Sequence, residues 1–124
     1  SLGQGATFFK LTAKPDKNTR AQIKRIETRQ HFRADFLQDA EIELSDYDLV
    51  LQGGFSHINA SDKSTIIDFK SYCGEYFTAP AFALHLGLEA ISKNVLGLNA
   101  VKNVLILNKF GNNYGAIAVE RFDV

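Results

Sequence analysis

The stretch AFALHLGLEAISKNV (81–95) decides the fold. Its residues favour helix, and the preceding residues supply a start, with Thr78 as N-cap and Pro80 in the first turn. The predicted helix is apolar on nearly every side, through Ala81, Phe82, Ala83, Leu84, Leu86, Leu88, Ala90 and Ile91. A helix that is apolar all round is normally buried all round. The segment 79–95 is therefore expected between two sheets, whereas 124 residues supply a single sheet of about five strands. The second covering layer is expected from a missing half of the chain or from a partner. A contiguous apolar face left in water is an aggregation liability.

Downstream of the helix, KNVLILNKF (102–110) and YGAIAVERF (114–122) read as two strands. Gly111-Asn112-Asn113 between them forms a tight hairpin connection, because Gly and Asn accept positive φ. Upstream, IIDF (66–69) reads as a short strand, and YDLVLQGG (47–54) as a buried strand closed by two glycines. The polar stretch 55–65 reads as loop, RADFLQDAE (33–41) as a short helix, ATFFKLTA (6–13) as a strand and KPDKN (14–18) as a turn. RAQIKRIETRQ (20–30) favours helix by propensity, but Ile23 and Ile26 make too weak an apolar stripe to decide it. The fold class is α/β, with a mixed sheet of about five strands and an antiparallel close.

Composition narrows the function. The 14 basic and 14 acidic residues cancel, which leaves no electrostatic footprint for nucleic acid or an acidic membrane surface. No apolar run is long enough for a transmembrane helix. SLGQGATFFK (1–10) has neither the basic start nor the apolar stretch of a signal peptide. Cys73 is the one cysteine, which excludes an internal disulfide and fits a reducing compartment, so a cytoplasmic location is expected. The chain contains no methionine, which is consistent with part of a longer product or with a processed one.

Cys73 has Lys70 three residues upstream, the setting of an activated thiolate, but a buried inert thiol is the expected reading. His85, inside the apolar helix, is expected to be a satisfied core histidine, and His31 a surface residue. His57, in the polar loop after Gly53-Gly54, is the free-standing functional candidate. The spacing of His, Cys and carboxylates gives no metal pattern, and no phosphate-binding glycine motif is present. The basic stretch KNTRAQIKR (17–25) reads as a solvated face.

Four segments, in order, resemble the second half of a β-ketoacyl synthase. LGQGATFFKLT (2–12) resembles the family's G-E-G-A strand entry, with Gln4 in place of the acidic residue. LSDYDLVLQGGFSHINASD (44–62) resembles the strand that leads into the first catalytic histidine and the N-D that follows it. KSYCGEYFTAPA (70–81) is similar to K-x-x-x-G-H-x-x-x-A-x-G, with Lys70, Gly74 and Ala79 in register. NKFGNNYGAIAVERF (108–122) resembles the closing N-x-F-G-G-x-N hairpin and last strand. The resemblance implies a thiolase-like five-layered fold, with 1–124 as the C-terminal part and helix 79–95 sandwiched between sheets. By its place in that resemblance, 20–30 is expected to be a strand.

The same resemblance implies acyltransferase chemistry by decarboxylative condensation, in fatty-acid or polyketide-type acyl assembly. It implies carrier-protein-bound thioesters as partners, a missing N-terminal half or partner synthase, a homo- or hetero-oligomer and no cofactor. The carried-over catalytic positions are Lys70, Glu75 in place of the second histidine, and Gly53 in place of the first. Phe110, Gly111 and His57 are carried over as substrate-binding. Cys73 does not match the acyl-accepting cysteine, which belongs to the N-terminal half. Condensation needs donors at the thioester carbonyl to stabilise the developing enolate. Glycine offers none, and an ionised Glu75 would repel the charge. A degenerate, chain-length-factor-like role is therefore expected. The alternatives are a stand-alone α/β module that binds a partner or ligand, and a site in which Glu75 itself acts as general base.

Overall fold

Two apolar runs, Leu49–Gly53 and Asn103–Phe110, lie side by side at the centre of a five-stranded sheet. The computed structural model describes residues 9–30, 35–55, 58, 64–74, 79–93, 97–98 and 100–123. In chain order the strands are β1 (Ala21–Gln30), β2 (Leu49–Gly53), β3 (Thr65–Asp68), β4 (Asn103–Phe110) and β5 (Asn113–Arg121). The spatial order is β1-β5-β4-β2-β3. β2 pairs in parallel with both β3 and β4, while β5 pairs antiparallel with β4 and with β1. The architecture is α/β with a mixed sheet, as the apolar runs predict.

Central strands read as unbroken apolar runs because both faces of the sheet are covered. On one face Leu49, Leu51, Val104, Ile106 and Val119 pack with Phe69 and with α3 (Ala79–Ser92). On the other, Val50, Leu105, Leu107, Ala116 and Ala118 pack with Phe36, Ala40 and Ile42. Phe36 begins the short helix α1 (Phe36–Asp39), which Asp35 caps by accepting from the backbone N–H groups of Leu37 and Gln38. The hairpin between β4 and β5 turns at Gly111, whose φ of 59° is in the left-handed region.

α3 packs on one face of the single sheet that the described residues form. The buried residues of α3 are Ala79, Ala83, Gly87, Ala90 and Ile91, a mostly small-residue stripe at helical spacing, and Leu84 and Leu86 pack beside them against the same core. Gly87 lies close enough that a Cβ would stand 3.1 Å from Val104 Cγ1. The larger residues Phe82, Leu84, Leu86 and Leu88 are half-buried, and His85 is exposed, so it is not a core histidine. Thr78, the expected N-cap, lies outside the described residues.

β1 settles the ambiguous segment as strand, because pairing with β5 over its whole length supplies what local propensity does not. A bulge at Lys24 shifts its register. Arg25, Glu27 and Arg29 lie on the α1 face, opposite Ala118, Ala116 and Tyr114. There Arg25 donates to the Ala40 and Glu41 carbonyls, and Arg29 pairs with Asp39 at 2.9 Å. Arg25 and then Arg29, each hydrogen-bonded to Glu27, hold its carboxyl below the usual range. Ile23 and Ile26 lie on the α3 face and stay 41% and 61% exposed. Residues 9–13 do not form the expected strand, and 6–8 lie outside the described residues. Most of 55–65 also lies outside them.

The helix–sheet contact predicts asymmetric tolerance. Ala83 is fully buried, so Ala83→Leu should overpack the interface and cost about 1–3 kcal/mol. His85→Ala, on the open side of the same helix, should stay within about 0.5 kcal/mol. Urea unfolding of the two variants measures both.

Candidate functional site at the carboxyl ends of the parallel strands

Parallel pairing brings the carboxyl ends of β2, β3 and β4 to the same edge of the sheet. In open α/β sheets, this is where ligands bind. Gly53 stands opposite Asn108 at that edge, and Gln52 opposite Asp68. The chain leaves β3 through Phe69 into a four-residue helix, α2 (Lys70–Cys73). Asp68 Oδ1 accepts from the backbone N–H of Lys70 at 3.0 Å, which fixes this sharp exit.

Lys70 is bent back over the sheet. Its Nζ donates to the Lys109 carbonyl at 2.9 Å and lies 5.9 Å from the centroid of the Phe110 ring. Gly53 runs beneath it. A Cβ built on Gly53 would come within 2.6 Å of Phe69 Cζ, 2.8 Å of Lys70 Cε and 2.9 Å of Phe69 Cε1. Gly54, with φ of 86°, lies so close to β4 that a Cβ would stand 2.3 Å from the Lys109 carbonyl oxygen. The Lys109 carbonyl is thus approached by Gly54 on one side and by the Lys70 ammonium on the other. Lys109 itself turns to the opposite face, 5.5 Å from the Tyr114 ring. Tyr114 belongs there to an aromatic group with Phe36 and Phe55.

Asn108 adds a polar group in the apolar strand. The alternation that puts Val104 and Ile106 on the α3 face puts Asn108 there too, between Gly53 on β2 and Gly115 on β5. Its Oδ1 is shut off from solvent and has no hydrogen-bond partner among the described residues. Buried acceptors are normally paired, so this oxygen is the unsatisfied group of the site.

Gly53, Lys70 and Phe110, far apart in sequence, are therefore brought together. Gly111 is one residue further on, exposed in the hairpin turn. Glu75 and His57 lie outside the described residues, as does His31. Cys73 is half-buried at the end of α2, its thiol 3.3 Å from the Gly74 carbonyl oxygen, and packs beside the α3-side core. Phe69, Asn108 and Lys109 are the positions that sequence reasoning misses. Asn108 carries a visible signal, a polar residue at a core-facing position of an otherwise apolar strand. Phe69 carries none, because it reads as the end of β3.

Among the described residues no group of His, Cys, Asp and Glu is arranged to hold a metal ion. No described helix is long and apolar enough to cross a membrane. A separate groove of about 660 Å3 lies between residues 9–20 and the outer side of α3, and shares no lining residue with the carboxyl-end site. No family model, no curated protein and no solved structure matches the chain.

The unpaired oxygen of Asn108 makes a prediction. Leaving such an acceptor buried costs about 1–3 kcal/mol. Asn108→Val, which suits a strand and fits between two glycines, should leave the melting temperature unchanged or raise it. A marked fall would mean that the amide serves the folded chain itself.

Proposed function

We propose that this chain is the C-terminal portion of a thiolase-like, β-ketoacyl synthase-type protein, acting as a non-catalytic, chain-length-factor-like element of acyl assembly. One observation carries the reading. Three separated positions of the family pattern, Gly53, Lys70 and Phe110, meet at one strand end where that pattern calls for a site.

The surface agrees with a further covering layer. Phe82, Leu84, Leu86 and Leu88 of α3 are half-buried, and Ile23 and Ile26 are exposed on the same face of the sheet. An N-terminal half or a partner synthase would shield them, and the whole would act on carrier-bound thioesters without a cofactor. The incapacity is chemical. An enolate forming at the strand ends would find no imidazole at position 53, and each missing donor of this kind costs about 3–4 kcal/mol in the transition state.

A specific observation favours the second reading, a stand-alone binding module. Both faces of the sheet are already covered from within the chain, with fully buried Leu49, Val50, Leu51 and Leu107 at its centre.

Reconstitution with the missing half or a partner synthase, followed by assay of malonyl-thioester condensation, tests the proposal. Stable assembly with the partner and no turnover attributable to this chain is the expected result. Turnover that persists after Lys70→Ala and Glu75→Ala would overturn the site assignment. Failure to assemble with any synthase half would favour the binding module.

A further inference from the structure

The missing histidine does not leave a hole, because the space it would enter is already occupied. We infer that the carboxyl end of β2 is a plugged pocket, with the Phe69 ring as the plug and the Lys70 stem as its cover, so that position 53 is held as glycine by packing. Equating position 53 with a lost catalytic residue rests on the proposed family reading, whereas the plug rests on geometry alone.

The ring cannot simply swing aside. Phe69 is fully buried and packs in the cluster that includes Leu49, Leu51 and Ala79. Its backbone is pinned as well, since the Phe69 N–H donates to the Gln52 carbonyl at 3.1 Å, one residue before Gly53. The ring tip and the Gly53 backbone are therefore fixed against each other. Lys70 closes the remaining side, and its ammonium is directed to the end of β4 by the Lys109 carbonyl and the Phe110 ring.

Phe69 and Lys70 thus fill the space beside Gly53 together. Two features block chemistry at this point, the absent imidazole and the filled volume. Restoring a side chain at 53 without removing the ring would distort the strand end before it supplied any donor.

A double-mutant cycle tests the plug. Phe69→Leu removes Cζ and Cε1, the two ring atoms nearest to Gly53, and keeps the core apolar. Gly53→Ala alone should raise the unfolding equilibrium constant at least about tenfold, in line with the cost of overpacking. In the Phe69→Leu background the same change should raise it less than about threefold, since contacting residues couple. Lys70 gives a second readout, its rate of reductive methylation by formaldehyde and borohydride. That rate should rise severalfold in Phe69→Leu while the other lysines stay constant. Additive effects of Gly53→Ala and Phe69→Leu, or an unchanged Lys70 rate, would overturn the inference. Neither measurement depends on condensing activity, so a failed reconstitution with a synthase half would leave the plug intact.

Discussion

The parallel pairing of β2 with β4 is the constraint on which the rest of the structure depends. It sets Leu49 beside Val104 and Gly53 beside Asn108, so the apolar parts of both strands share a core and their polar ends share an edge. Parallel strands need a crossover, and here the crossover is β3, α2 and α3. That path carries Phe69 and Lys70 past the end of β2 before the helix returns. The carboxyl-end cluster is therefore a consequence of connectivity. Any chain that makes this crossover so tightly must place the residues after β3 on top of the last residue of β2.

The small-residue stripe of α3 follows from the same closeness. A helix that starts near a strand end and crosses β2 and β4 needs Ala79, Ala83 and Gly87 where the backbones approach. The bulky residues are displaced to the flanks. This explains why the helix looks apolar all round in sequence although only one side reaches the sheet. Side-chain size, more than polarity, decides which face docks.

The elements written by short-range chemistry were legible. β2, β4 and β5 follow from apolar runs, the hairpin from Gly111-Asn112-Asn113, and α1 falls within the segment 33–41 that reads as a short helix. Those decided by long-range pairing were not. β1 carries two isoleucines that remain exposed, and its other face is anchored by Arg25 to the carbonyls after α1 and by Arg29 to the Asp39 carboxylate. Hydrophobic periodicity does not describe such a strand. The same limit applies at the site. Gly53 and Lys70 could be picked out by pattern, but the role of Phe69 arises only when β3 is laid beside β2, and the isolation of Asn108 only when glycines are found on both flanking strands.

A glycine at a strand end normally suggests room for a ligand or for another backbone. Gly54 fits the second case, since the Lys109 carbonyl fills the space its side chain would need. Gly53 fits neither, because what approaches it is the ring of a core phenylalanine. A pocket that had lost a catalytic side chain and kept its other functions would be expected to retain the cavity. Here the volume beside Gly53 is filled instead by the ring of Phe69, a fully buried aromatic side chain. Burying a phenylalanine contributes about 1.5–3 kcal/mol, a sizeable share of the stability of a small domain. On the proposed reading, loss of the donor and gain of the ring are linked, because the ring that stabilises the strand end is the group that excludes a side chain from position 53.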